Sequence, residues 1–213
     1  MMAAPSTHYL LRIDSLESLS GIESAPSWVK QSLQSAPYVV VRRWKRSTTE
    51  IAVGVRGSSR EERWASFIGP SSIIESLSPT DLRISKLADP DRLECIDALK
   101  HLQFLKHAWC ELENRWGPGG SVGYELASGV NTCQPSSDLD IVIFAPEPIS
   151  LHFAEQLLYS AKAISESIDI IVEAPQCGFS LQEFVRSSDN LVLRCADGPR
   201  LASNPWQNQP ALR

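Results

Sequence analysis

An α/β (α+β) protein in two parts is the fold class this sequence predicts, and three observations predict it. First, 43% of its 213 residues are hydrophobic and 21% are charged, enough apolar surface for a real core and too little charge for global disorder. Second, from residue 91 onward helix-like and strand-like segments alternate, which builds a small mixed sheet flanked by helices. Third, the stretch 69–91 (GPSSIIESLSPTDLRISKLADPD) carries three prolines and many serines with little period. It marks a boundary between a smaller N-terminal α+β domain, residues 1–85, and a C-terminal domain, residues 86–213.

Residues 8–20 mix apolar and polar positions without a clear period and define no element. Trp28–Leu33 predicts a short helix. Tyr38–Arg43 (YVVVRR) is a β-branched run that predicts a strand, and Glu50–Arg56 (EIAVGVR) alternates as its partner across the polar connection WKRSTT. After Gly57, SSREERWASFI opens on serines able to cap and places Trp64, Phe67 and Ile68 at helical spacing, so it predicts a helix. Ser71–Ser76 predicts one helical turn within the boundary segment. Asp91–Asn114 predicts a single long helix, because Leu93, Ile96, Leu99, Leu102, Leu105 and Leu112 recur at intervals of three and four and form one apolar stripe. It stops at Gly117-Pro118-Gly119-Gly120. Asp140–Ala145 (DIVIFA) predicts a buried strand, 150–164 an amphipathic helix capped by Ser150, Ile168–Val172 a strand, 180–187 a helix, and Leu191–Cys195 a last strand before a proline-rich tail. There is no internal repeat.

Lys and Arg number 20 against 25 Asp and Glu, a formal charge of −5. A nucleic-acid partner, which needs a basic excess, is therefore not expected. The five cysteines are widely spaced without a C-x-x-C pair, so free thiols in a reducing compartment are expected, not a disulfide framework or a zinc site. The N-terminus shows no basic segment followed by an apolar one, and no run approaches the ~18 apolar residues of a membrane helix. A cytoplasmic protein without a membrane partner is the expectation.

The chemistry concentrates in Gly119-Gly120-Ser121 and, further on, Ser137-Asp138-Leu139-Asp140-Ile141-Val142-Ile143. Side chains two apart on a strand point to the same side, so Asp138 and Asp140 are neighbouring carboxylates at the start of a strand. Two such anions are costly together unless a cation joins them, and an all-oxygen set suits Mg²⁺ or Mn²⁺. Asp169, between Ile168 and Ile170 on a second strand, faces either the same metal or water. Glycines at 119 and 120 allow close backbone approach, and a helix starting at Ser121 aims free N–H groups at an anion. A phosphate cradle beside paired carboxylates is what phosphoryl or nucleotidyl transfer requires.

Taken in this order, the Gly-Ser helix start, the D-L-D strand and the apolar-Asp-apolar strand resemble the DNA polymerase β-type nucleotidyltransferase superfamily. Within it, RWGPGGSVGYELASG followed by SSDLDIVI is similar to malonate decarboxylase holo-acyl-carrier-protein synthase, the phosphoribosyl-dephospho-CoA transferase family. The similarity continues in YVVVRR, AVGVRGSSREERWASF, IDIIVEAP, LQEFVRS and GPRLASNPW, from about residue 38 to residue 206. The resemblance implies a nucleotidyltransferase catalytic domain at 86–213 and a donor- or carrier-binding domain at 1–85. It implies triphosphoribosyl-dephospho-CoA as donor and a serine of the malonate decarboxylase acyl carrier protein as acceptor, with pyrophosphate released. It assigns Asp138 and Asp140 to the metals, Asp169 to a third ligand position or to the base, and Gly119, Gly120 and Ser121 to the leaving phosphates. Two other functions remain open: a nucleotidyltransferase using ATP or another NTP on a protein or small molecule, and an inactive module of the same fold that only binds.

Between Arg42 and Arg63 lie seven basic residues, Arg42, Arg43, Lys45, Arg46, Arg56, Arg60 and Arg63, against Glu50, Glu61 and Glu62. This segment is a solvated hairpin face, a docking patch for an acidic carrier, or a clamp on the donor triphosphate. Arg56 is its best candidate for a phosphate contact, and Arg200 is a second candidate in the tail. His8, His101, His107 and His152 form no triad with a serine and are expected to be structural.

Overall fold

The computed structural model describes residues 5–207 apart from 46, 60, 85–88, 90, 113–114 and 187–189. The predicted boundary at 85, and the basic residues Arg46 and Arg60, lie outside the described residues. The chain runs β1 (Leu10–Ile13), α1 (Ser27–Ser35), β2 (Tyr38–Val41), β3 (Ile51–Arg56), β4 (Arg63–Ile68), β5 (Ile73–Leu77), α2 (Pro79–Ile84), α3 (Arg92–Cys95) and α4 (Asp97–Ala108). It continues β6 (Trp116–Pro118), α5 (Gly120–Ser128), β7 (Leu139–Phe144), α6 (Leu151–Ile164), β8 (Ile168–Glu173), β9 (Cys177–Ser180), α7 (Leu181–Arg186), β10 (Leu191–Cys195) and β11 (Gly198–Ala202). Two sheets result, of order β4-β3-β2-β1-β5 and β11-β10-β9-β8-β7-β6. The fold is α+β, with a sheet in each half and helices against both.

The N-terminal sheet is antiparallel throughout its described pairs. One face, built from Leu11, Ile13, Val39, Val41, Val53 and Val55, buries against Val29 and Leu33 of α1. Segment 63–68 is a strand, not the helix its Trp64, Phe67 and Ile68 spacing predicts. β4 pairs with β3 along its whole length, from Ile51↔Ile68 to Arg56↔Arg63. Trp64 and Ile68 also fit a period of two, with Phe67 on the opposite face, and the ladder offered by β3 decides between the periods. Where a helical turn is predicted over Ser71–Ser76, a 3₁₀ turn at Pro70–Ser72 leads into β5, and α2 follows. β5 pairs with β1, an element for which residues 8–20 give no signal. The start of α2 abuts β6 so closely that the Pro79 carbonyl occupies the place of a Cβ on Gly117.

The predicted helix 91–114 is broken. Ile96 adopts φ −119°, ψ 106°, buries its side chain, and separates α3 from α4. In the C-terminal sheet, β7 and β8 pair in parallel through the crossover helix α6, and the remaining described pairs are antiparallel. Leu139, Ile141, Ile143, Ile168, Ile170 and Val172 form the face that packs with Leu99, Leu102 and Leu105 of α4 and Ala154 and Leu157 of α6. Ser150 caps α6, its hydroxyl accepting from Phe153 N–H at 3.1 Å. The sequence reading missed β6, β9 and β11, which are short and contain Gly or Pro.

The opposite faces of the two sheets meet. Leu10, Tyr38 and Val40 of the first join Leu82 of α2 and Tyr124 of α5 in an apolar cluster, and Tyr9 stands edge-on to Phe144 with ring centroids 6.3 Å apart. At the end of β8, Glu173 is nearly buried, with a side-chain exposure of 8%, and is bound by His8 and Arg43 of the N-terminal half. Burial alone would raise the Glu173 pKa, but the hydrogen bonds from His8 and Arg43 outweigh it and hold the carboxyl below its usual range. An ionised carboxylate only accepts, so His8 Nε2 carries the proton it donates at 2.8 Å. His8 holds a φ of +73°, rare for a residue with a Cβ. Glu173→Ala should therefore lower unfolding stability by roughly 1.5–3 kcal/mol, read as a shift in the urea midpoint at unchanged m-value. An unchanged midpoint would show that the two halves are held by apolar contact alone.

Candidate active site

β7 and β8 run side by side with Asp140 opposite Asp169, Val142 opposite Ile171 and Phe144 opposite Glu173. Because alternate residues share a face, the two aspartates stand together on the face turned away from α4 and α6. Their neighbours Leu139, Ile141, Ile168 and Ile170 are buried on the other side. Asp138 lies one residue before β7, within electrostatic range of Asp140.

The start of α5 is built onto Asp140. Gly119 N–H donates to the Asp140 carbonyl at 2.8 Å, and Gly120 takes φ +55°, a left-handed conformation suited to glycine. A Cβ on Gly120 would sit on the Asp140 carboxylate. The two glycines thus let the first turn of α5 approach the acid, and that turn presents its free N–H groups beside it. Ser121 follows, half-buried, its carbonyl accepting from Thr132 Oγ1 at 3.1 Å.

The turn after α5, which leads into Asp138, is held by an ion pair the sequence did not reveal. Glu125 is buried and accepts from Arg92 Nε at 3.0 Å and Arg92 Nη2 at 2.8 Å, and from the backbone N–H groups of Thr132 and Cys133 at 2.8 and 2.7 Å. Arg92 also donates to the Cys133 carbonyl at 2.8 Å. The break at Ile96 therefore frees α3 from the axis of α4 where Arg92 makes these bonds. Burial would raise the Glu125 pKa; the bonds from Arg92, Cys133 and Thr132 together lower it. A carboxylate two positions after glycine inside a helix carried no distinctive sequence signal.

Arg56 comes from the other sheet. The pairing Val40↔Gly54, with alternation along β3, puts Arg56 on the same face as Val40 and Arg42, the face that meets the C-terminal half. It acts on Asp140, whose pKa is raised. Loss of hydration in the crevice between the sheets is the largest cause, although the carboxylate still reaches solvent. Arg56 opposes that rise, Asp169 and Asp138 add to it, and His8 opposes it. The structure thus brings together Asp138, Asp140, Asp169, Gly119, Gly120 and Arg56. Arg200 stands apart, paired with Asp197 on β11, three strands from β8, or about 14 Å at the usual spacing.

The residues fit a hard divalent cation by chemistry. The carboxylates supply only oxygen, like charge at Asp140 is incompletely balanced, and the glycine cradle admits no side chain over the acid. Among the described residues, no three His, Cys, Asp or Glu side chains already close round a common point, and no helix is long and apolar enough to cross a membrane.

Comparison with known proteins places the chain among transferases. The model of the phosphoribosyl-dephospho-CoA transferase MdcG C-terminal domain matches residues 85–205, and that of the MdcG N-terminal domain matches residues 6–79. Relatives named phosphoribosyl-dephospho-CoA transferase include one from Pseudomonas syringae pv. tomato, 32% identical over 184 residues and 86% of each chain. One from Pseudomonas aeruginosa is 33% identical over 185 residues and 87% of each chain. A third, from Klebsiella pneumoniae, is 31% identical over 210 residues, 98% of this chain and 100% of its own. The chain belongs to the MdcG family of phosphoribosyl-dephospho-CoA transferases. No solved structure matches it.

Glu125→Ala should destabilise the fold by roughly 3–5 kcal/mol, because it strands a half-buried guanidinium and two amides. Since the folded-state pKa of Glu125 is depressed, its contribution is complete above the ordinary value of 4.5 and is lost as pH falls through the lower folded value. Unfolding midpoints measured from pH 7 to pH 3 should converge for wild type and variant at the acid end. Curves that stay parallel would remove Glu125 from the pH dependence.

Proposed function

We propose that this protein moves the phosphoribosyl-dephospho-CoA group from triphosphoribosyl-dephospho-CoA to a serine hydroxyl of the malonate decarboxylase acyl carrier protein, releasing pyrophosphate. The observation that carries the reading is the register pair Asp140↔Asp169, with the start of α5 seated on Asp140 and Arg56 acting on it from the other sheet. The order of these elements also supports membership of the DNA polymerase β-type nucleotidyltransferase superfamily. The five cysteines are free, as suits work in a reducing cytoplasm.

In this reaction the serine oxygen attacks the donor's α-phosphorus, the bond to the β-phosphate oxygen breaks, and the serine proton leaves to a carboxylate. Asp138, Asp140 and Asp169 would hold Mg²⁺ or Mn²⁺, which supplies neutralisation of the phosphate oxygens. Asp169 stands beside Asp140 on the open face and either completes that carboxylate set or takes the serine proton. The N–H groups at Gly120 and Ser121 hold the departing phosphates at the positive end of α5. Arg56 places its guanidinium where charge develops on the transferred group.

Incubation with the carrier protein, the donor and Mg²⁺ should add the mass of one phosphoribosyl-dephospho-CoA group to the carrier, read by intact mass spectrometry. Asp138→Asn or Asp140→Asn should reduce that rate by about 100-fold or more, and Arg56→Ala by roughly 10–100-fold, with folding intact by circular dichroism. Gly120→Val should block transfer, because its side chain would take the place of the Asp140 carboxylate. Full transfer in EDTA, or in either asparagine variant, would overturn the assignment of the acids.

A further inference from the structure

Further along the face that carries Asp140 and Asp169, the two strands reach a second concavity. Phe144, four residues after Asp140, and Glu173, four residues after Asp169, both line a cleft of about 820 Å³ between the rims of the two sheets. Four residues of strand span roughly 13 Å. A smaller cavity of about 300 Å³ lies over Ile171, the residue between Asp169 and Glu173 on that face, and shares Thr7, Arg43, Glu173 and Cys195 with the cleft. The acids and the cleft therefore lie roughly 13 Å apart along one face of β7 and β8, with Ile171, which lines the smaller cavity, between them.

The cleft wall is basic in a way its ion pairs do not use up. Arg43 is engaged by Glu173 and Arg200 by Asp197. Among the described residues, no ion pair forms on Arg42 or Lys45, both exposed and both in the wall. Trp44, 52% exposed, stands between them in sequence with its ring 5.8 Å from that of Phe67. Glu50 is also exposed in this wall without an ion pair among the described residues, so Arg42 and Lys45 leave a net positive charge, and two cations flanking an accessible indole fit a ligand with phosphate charge and a flat heterocycle. The volume is that of a coenzyme-sized site.

We propose that this cleft binds the dephospho-CoA half of the donor, with its diphosphate on Arg42 and Lys45 and its adenine against Trp44. The proposal rests on the donor assigned under Proposed function and deepens it. A donor reacting at Asp140 must extend its coenzyme portion away from the acids, and this cleft lies roughly 13 Å further along the same face. Of the basic segment, for which the sequence left three uses open, Arg42 and Lys45 thereby grip the donor's far half, while Arg56 stays with the reacting phosphates.

The test uses the full-length protein and dephospho-CoA alone, which lacks the reacting triphosphate. Calorimetric titration should show binding to wild type, and about tenfold or greater weakening in Arg42→Ala/Lys45→Ala, as expected from losing charge-assisted contacts. Lys45→Glu, a change at an exposed side chain, should weaken binding in the same direction even if the double variant disturbs the packing of Arg42 over Gly54. No binding of dephospho-CoA to wild type, or equal binding to the variants, would overturn the proposal. Transfer assays separate the two readings. Dephospho-CoA binding of the expected pattern without transfer to the carrier would sink the function and spare the cleft. Normal transfer by the double variant at an unchanged donor KM would sink the cleft and spare the function.

Discussion

The parallel register that sets Asp140 against Asp169 is the constraint on which the rest of the structure turns. Like charges directly opposite on neighbouring strands oppose sheet formation, yet here they occupy a central pair of the C-terminal sheet. The fold tolerates them because the same two strands bury a continuous aliphatic face, Leu139, Ile141, Ile143, Ile168, Ile170 and Val172, against α4 and α6. Register and burial are inseparable on a strand: a slip of one residue would expose that face and bury the acids. Apolar packing thus holds the carboxylates in a position that electrostatics alone would resist.

The protein treats its buried glutamates differently. Glu125 receives four hydrogen bonds and Glu173 is bound by His8 and Arg43, and both carboxyl groups lie below their usual range. These are compensated charges with structural work to do, one fixing the turn before Asp138, the other tying the two halves together. Asp140 has its pKa pushed the other way. The contrast separates acids that the fold neutralises internally from one whose charge is left for something to bind.

Much of this was legible in the residues. The strands over 38–41, 51–56, 139–144, 168–173 and 191–195 and the helix over 151–164 follow from β-branched runs, alternation and a serine cap, all local signals. The glycine pair, the D-L-D step and the lone acid of IDIIV were visible as a sequence order, although nothing local states that positions 140 and 169 are neighbours. Segment 63–68 misled because Trp64 and Ile68, four apart, suit either period, and only the exposed edge of β3 selects the strand. Arg92 and Glu125 were invisible because a charged residue on a helix ordinarily points to water, and their 33-residue separation hides the pairing.

What the sequence determined by itself is the inventory: two αβ halves, an apolar face on each key strand, acids spaced to share a side, and glycines where a helix must start close to a carboxylate. These are consequences of periodicity and side-chain size, which act within a few residues. The tertiary structure alone decided which sheet face each acid shares with which partner. It brought Arg56 across from the other half, spent His8 and Arg43 on Glu173, and left a cleft beyond them with Arg42 and Lys45 in its wall. Those outcomes depend on strand register and on how two faces pack, and such contacts join residues far apart in the chain that no local pattern links.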